Sequence, residues 1–96
     1  MLEVREKLNK IICLFLEEKI NYDDVVKYTK MLMPISEACE LADELEREVF
    51  MALWHGDEKY CNVPKEEMIY YKKCFDGKDD FSADRRDAII RKSLIV

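Results

Sequence analysis

Val4-Arg5-Glu6-Lys7-Leu8-Asn9-Lys10-Ile11-Ile12-Cys13-Leu14-Phe15 is the stretch on which the fold class turns. Val4, Leu8, Ile11, Ile12 and Phe15 recur at i, i+4, i+7, i+8 and i+11, the spacing that lines one face of an α-helix. Glu3, Glu6, Lys7, Lys10 and Glu17 occupy the other faces. The pattern predicts an amphipathic helix from about Leu2 to Glu18.

The same period continues downstream. Asn21 followed three residues later by Asp24 has the form of a capping box, with Asp in the usual Glu position, and Ile20 and Val25 are placed to staple it. Tyr22, Val25, Val26, Thr29 and Leu32 then share a helical face, and Pro34 closes the segment because the residue before proline disfavours helix. So short a connection predicts that the first two helices are antiparallel neighbours. From Ser36 the residues Ala38, Leu41, Ala42, Leu45, Val49, Ala52 and Leu53 predict a third and longest helix, with Gly56 offered as its C-terminal cap. Pro64 and the acids after it read as a helix start, with Met68, Tyr71 and Phe75 as its apolar stripe. Asp76-Gly77 ends that segment. Ser82 caps a last helix carrying Ala83, Arg86, Ile90 and Leu94 on one line and Ile89 beside it.

Composition agrees with this reading. The 96 residues form one domain, 1–96, with 49% hydrophobic and 39% charged side chains, the balance of a folded globule. Two Gly and two Pro are too few for the many turns of an all-β domain. The expected class is all-α: an antiparallel four-helix bundle, with an additional short helix around 64–75.

A net charge of −5 speaks against direct nucleic-acid binding, which needs Lys and Arg to neutralise phosphates. It suits a basic protein partner steered in by electrostatics. No run of residues approaches the roughly 20 apolar positions needed to span a bilayer. The charged N-terminus lacks the form of a signal peptide, so the expected location is cytoplasmic. The four cysteines (Cys13, Cys39, Cys61 and Cys74) form no CxxC pair, and no zinc or redox pattern follows. Cys13 and Cys39 fall in helical apolar patterns and are expected to be buried. Cys61 and Cys74 lie in the less regular part, where exposure is open to them.

No constellation points to catalysis. His55 has no Ser or Cys nucleophile in a recognisable pairing, glycines at 56 and 77 alone build no phosphate loop, and no metal or cofactor is expected. The informative feature is charge. Glu37, Glu40, Asp43, Glu44, Glu46, Glu48, Asp57 and Glu58 face a single basic residue, Arg47, between positions 37 and 58. An acidic run is often only a solvated helix face. Here like charges at i+3 and i+4, such as Glu40–Glu44 and Glu44–Glu48, weaken a helix by a few tenths of a kcal/mol each, which favours a binding role. Trp54 at the edge of the segment, beside Asp57 and Glu58, is suited to anchor a partner, and His55 sits at the same helix end.

Three stretches resemble the colicin-D-type immunity proteins, a family that includes immunity partners of contact-dependent growth-inhibition toxins. They are Leu14-Phe15-Leu16-Glu17-Glu18-Lys19-Ile20, then Glu48-Val49-Phe50-Met51-Ala52-Leu53 followed by Asp57-Glu58, and the closing turn at Ser82 with Ile90-Arg91-Lys92-Ser93-Leu94. Order and spacing match over most of the chain. The resemblance implies a four-helix bundle that binds the nuclease domain of a toxin, typically one that cleaves tRNA. Acidic residues would stand where RNA phosphates bind. By position, Asp57 and Glu58 carry that role, with Glu44 and Glu48 on the preceding helix. The sequence departs from the family pattern at His55-Gly56, where a more acidic run is expected, and over 61–75, which is longer and more aromatic.

The expected function is therefore that of a non-enzymatic, cofactor-free immunity protein, monomeric when free. Its expected binding residues are Asp57, Glu58, Glu48, Glu44, Trp54 and His55. A reading of a different class is a helical adaptor with a hydrophobic groove lined by Tyr70, Tyr71 and Phe75. A third is a homodimer joined through the aromatic segment 60–75, which includes Tyr60.

Overall fold

The computed structural model describes residues 4–59 and 61–94, and the backbone alone of Leu94. The expected helix start at Leu2, the aromatic Tyr60 and the Leu94 side chain lie outside the described residues. Six helices and no strand are found among those described: α1 (Val4–Leu16), α2 (Tyr22–Leu32), α3 (Ile35–Ala38), α4 (Glu44–Trp54), α5 (Lys65–Phe75) and α6 (Ala83–Leu94). The all-helical class holds, with a different division of the chain from the one expected.

α1 buries Leu8, Ile11 and Ile12, the face its periodicity picks out. It closes on a Schellman motif, in which Lys19 N–H donates to Leu14 O at 2.9 Å and Glu18 N–H to Phe15 O at 3.0 Å. That motif requires a left-handed residue, and here Glu18 takes it, with φ 62°. α2 starts on the expected capping box: Asn21 Oδ1 accepts from Asp24 N–H at 2.8 Å, and Asp24 Oδ2 accepts from Asn21 N–H at 3.3 Å. Val25, Val26 and Thr29 are buried, and Thr29 Oγ1 donates to Val25 O at 2.8 Å, which satisfies its hydroxyl in the core.

The expected long third helix from Ser36 is broken. α3 ends at Ala38, and α4 begins only at Glu44. Asp43 adopts an extended backbone and its Oδ1 accepts from Glu46 N–H at 2.9 Å, so it caps α4. Arg47 donates to Leu41 O at 2.7 Å and holds the intervening turn. The physical reason lies in the acids themselves. In one continuous helix, Glu40, Asp43, Glu44 and Glu46 would repel along its side. With the break, Asp43, Glu44 and Glu46 stand at the N-terminus of α4, where the helix dipole favours negative charge by about 0.3–1 kcal/mol each. The inference from crowded like charges to a binding role is weakened accordingly.

The segment expected to be an additional short helix is central. α5 buries Glu67, Met68, Tyr70, Tyr71, Cys74 and Phe75, and it packs on α1 and α6. By contrast α6, expected to be one of the four bundle helices, has no fully buried residue among those described. It leans on α5 with Ile89 partly buried, and Phe81 in the turn before it packs against Tyr70 and Tyr71. α1 also packs against α2 and α4, and α2 against α4, around Leu8, Ile12, Val25, Val49, Phe50 and Leu53. Each such side chain contributes about 1.5–3 kcal/mol on leaving water. The cysteines correct the sequence reading too. Of the two expected to be buried, Cys39 is exposed because it falls in the break and Cys13 is only half-buried; of the two left open, Cys61 is exposed and Cys74 is buried on the inner face of α5.

Two tyrosines fasten the irregular segments. Tyr22 Oη donates to Gly56 O at 2.9 Å and accepts from Val63 N–H at 2.8 Å. Tyr70 Oη donates to Asp80 O at 2.9 Å and accepts from Ser82 N–H at 2.8 Å. The first pair positions the loop after α4, and the second positions the turn before α6.

Candidate functional site

The C-terminal end of α4 gathers four of the six residues expected to bind a partner. Trp54 and His55 meet edge to face, with ring centroids 4.9 Å apart. Glu58 pairs with His55 Nδ1, three residues back. Asp57 lies across from α2, where Lys30 Nζ donates to its Oδ2 at 2.9 Å. The same ammonium lies 4.7 Å from the centroid of the Trp54 ring, a cation–π arrangement. The Lys30 hydrogen bond holds the Asp57 carboxyl below the usual carboxylate range. Thus the two loop acids are exposed yet both have partners, Asp57 the Lys30 ammonium and Glu58 the His55 ring nitrogen.

Glu48 and Glu44 separate from that group. Glu48 is half-buried and its Oε1 lies 3.3 Å from Arg86 Nη1 on α6, an ion pair that ties α6 to α4. Glu44 is exposed in the first turn of α4. Among the described residues no cation pairs with its carboxylate, nor with Glu37 or Glu40. Asp43 lies 3.6 Å from Arg5 Nη2, and the one basic residue of the stretch, Arg47, is turned onto Leu41 O. Within the 37–58 stretch, the exposed acids without a cation partner among the described residues are therefore Glu37, Glu40 and Glu44, on α3, the break and the start of α4, with the half-buried Glu46 beside them. They do not coincide with the loop at 57–58.

A second feature was not anticipated. Between α4, the strand-free stretch 61–63, α5 and α6 lies an open cleft of about 350 Å³ lined by Glu48, Met51, His55, Glu67, Arg86 and Asp87 among others. Glu67 lies against it with only 3% of its surface exposed. Its Oε2 accepts from the hydroxyl of the fully buried Tyr71. Burial pushes the Glu67 carboxyl above the ordinary range, only partly offset by the Tyr71 hydrogen bond and the nearby Arg86. Burial and the neighbouring Glu67 also raise the Tyr71 phenol. One signal in the sequence could have found this site. Glu67 stands four residues before Tyr71 on the apolar stripe of α5, where a carboxylate is out of place.

The other expected surfaces are taken up by the core. Tyr70, Tyr71 and Phe75 are buried; Tyr70 and Phe75 are absent from the lining of this cleft, whereas Tyr71 contributes to its wall, and the aromatic face of 61–75 is turned inward. Among the described residues no group of three or more His, Cys, Asp or Glu side chains is placed to hold a metal ion, and no helix is long and apolar enough to cross a membrane. No protein-family model, curated protein or solved structure matches the chain.

Proposed function

We propose that this chain is a non-enzymatic inhibitor that binds a basic protein partner through its acidic surface, and that the partner is the nuclease domain of a toxin. The observation that carries the first half is that Glu37, Glu40 and Glu44, close together in the chain, are all exposed and have no cation partner among the described residues. The second half rests on the resemblance to colicin-D-type immunity proteins, and the antiparallel arrangement of the longer helices belongs to that resemblance. A tRNA-cleaving domain has a cleft built for phosphates. An array of fixed carboxylates competes for it without any chemical step and with no cofactor. Long-range attraction speeds the encounter. Trp54, His55, Asp57 and Glu58, at and just beyond the opposite end of α4, act as a secondary contact, which Asp57 can make only by sharing or releasing Lys30.

Co-expression with colicin-D-type nuclease domains, including any encoded beside this gene, tests the reading. Survival of the cells, intact tRNA and co-purification of the two proteins are expected. Continued killing despite good yields of folded helical protein would defeat it.

A further inference from the structure

We infer that the cleft between α4, α5 and α6 is a socket for a guanidinium-bearing side chain, with Glu67 at its floor. The inference rests on the reading that the partner is a basic protein, and it identifies which group of that partner is held most specifically.

Glu67 is a carboxyl group buried in a small domain, and burying such a group costs several kcal/mol unless something compensates it. The compensation present is meagre. Oε2 has the Tyr71 hydroxyl, whereas among the described residues no donor serves Oε1. The nearest cation, Arg86, offsets the Glu67 charge only in part, because it is shared with two further carboxylates, lying 3.3 Å from Glu48 and 3.2 Å from Asp87. Two carboxylates against one guanidinium leave the rim with a surplus negative charge before Glu67 ionises.

The walls suit a long basic side chain. Met51, Ala52, Val63 and Ile90 line the cleft and can pack the methylene stem, and the acidic rim and floor receive the charged head. Its volume lies within the roughly 300–1,000 Å³ of small-ligand sites. A planar guanidinium can bridge Glu67 Oε1 and the rim, which an ammonium does less well. The exposed acids at 37, 40 and 44 draw the partner in without any such geometry. The cleft supplies the selection that a bare charged surface lacks.

The test uses the isotopically labelled chain alone, titrated with Nα-acetyl-arginine-amide or its neutral isostere Nα-acetyl-citrulline-amide and followed by amide NMR. Saturable shifts at Glu67, Tyr71 and Ile90 are expected with the arginine derivative and not with citrulline. Glu67→Gln, which keeps an acceptor for Tyr71, is expected to weaken binding roughly tenfold. Should that variant fail to fold, the contrast between the two ligands in the unaltered chain decides by itself. Shifts confined to residues 37–46, equal responses to both ligands, no response, or an unaffected Glu67→Gln would each overturn the inference. Because no partner is present, the socket can stand when every nuclease domain fails to bind. It can likewise fall while the nuclease reading survives.

Discussion

The hydroxyl of Tyr22 occupies the space that a Cβ on residue 56 would need. It donates to the Gly56 carbonyl at 2.9 Å, and an ideal Cβ built on Gly56 would lie 2.6 Å from the same oxygen. Gly56 has no left-handed backbone, so it does not serve as the expected helix-ending glycine. His55 is the C-cap of α4, and Gly56 is required because α2 comes so close. Tyr22→Phe removes both the donor to Gly56 and the acceptor for Val63 N–H and is expected to cost about 1–3 kcal/mol in urea unfolding. Gly56→Ala is also expected to destabilise, but less in the Tyr22→Phe background, where the oxygen is gone. Additive losses in the double-mutant cycle would show that the close approach does not matter.

Glu67 is expected to make stability fall as pH rises. Its folded-state carboxyl titrates above the ordinary range because it is buried, so between the unfolded and folded values the native chain binds the extra proton. The stabilising contribution is fully present below the unfolded value of about 4.3 and is lost as pH climbs through the folded one. Glu67→Gln should flatten this component and be neutral, or stabilising by about 1 kcal/mol, at pH 7. Thermal melts from pH 4 to 8 check it, and a slope unchanged by the variant would assign the effect to other groups.

Glu18 and Gly77 hold equivalent positions in two copies of one motif. After α5, Lys78 N–H donates to Lys73 O at 2.9 Å and Gly77 N–H to Cys74 O at 3.2 Å, with Gly77 at φ 75°. After α1 the same position is a glutamate at φ 62°. A side chain there costs about 1 kcal/mol that glycine does not. Glu18→Gly is expected to stabilise by about 0.5–1 kcal/mol, and Gly77→Ala to destabilise by a similar amount, both read from the urea midpoint.

Local chemistry was legible in the sequence and long-range pairing was not. The Asn21–Asp24 box and the inward face of α1 are set by neighbours within a turn or two, and both form as read. Asp43-Glu44-Leu45-Glu46 carries a comparable start signal, but the apolar period running through it hid the break. Period alone cannot weigh burial, so it places α5 below α6 although the tyrosines and Cys74 of α5 fill the core. The site suffered most. The cations that match Asp57 and Glu48 come from 27 and 38 residues away, and nothing near either acid announces Lys30 or Arg86. Which exposed acids of the 37–58 stretch lack a cation, namely Glu37, Glu40 and Glu44, follows from those long-range pairings and not from any neighbour in sequence.

Those unmatched carboxylates lead to the prediction that separates binding from folding. Glu40 lies in the break between α3 and α4, outside any helix, so Glu40→Lys reverses a charge with no helix-dipole cost. Glu44→Lys would add such a cost, about 0.3–1 kcal/mol, and Glu44→Gln is the cleaner companion. Against a nuclease domain that the chain inhibits, Glu40→Lys with Glu44→Gln is expected to slow association about tenfold at low salt while the melting temperature stays nearly constant. The unaltered chain should itself associate more slowly as salt shortens the Debye length to about 8 Å at physiological strength, and the variant should respond less. Asp57→Lys with Glu58→Lys supplies the contrast. Asp57 already neutralises Lys30, so reversing it sets two ammonium groups together beside Trp54 and disturbs that corner directly. A steep loss for the 57–58 pair, with normal stopped-flow rates for the 40–44 pair, would return the inhibitory contact to the loop after α4. The opposite ranking is expected, since a charge already paired within the molecule attracts a distant partner less than one left open to it.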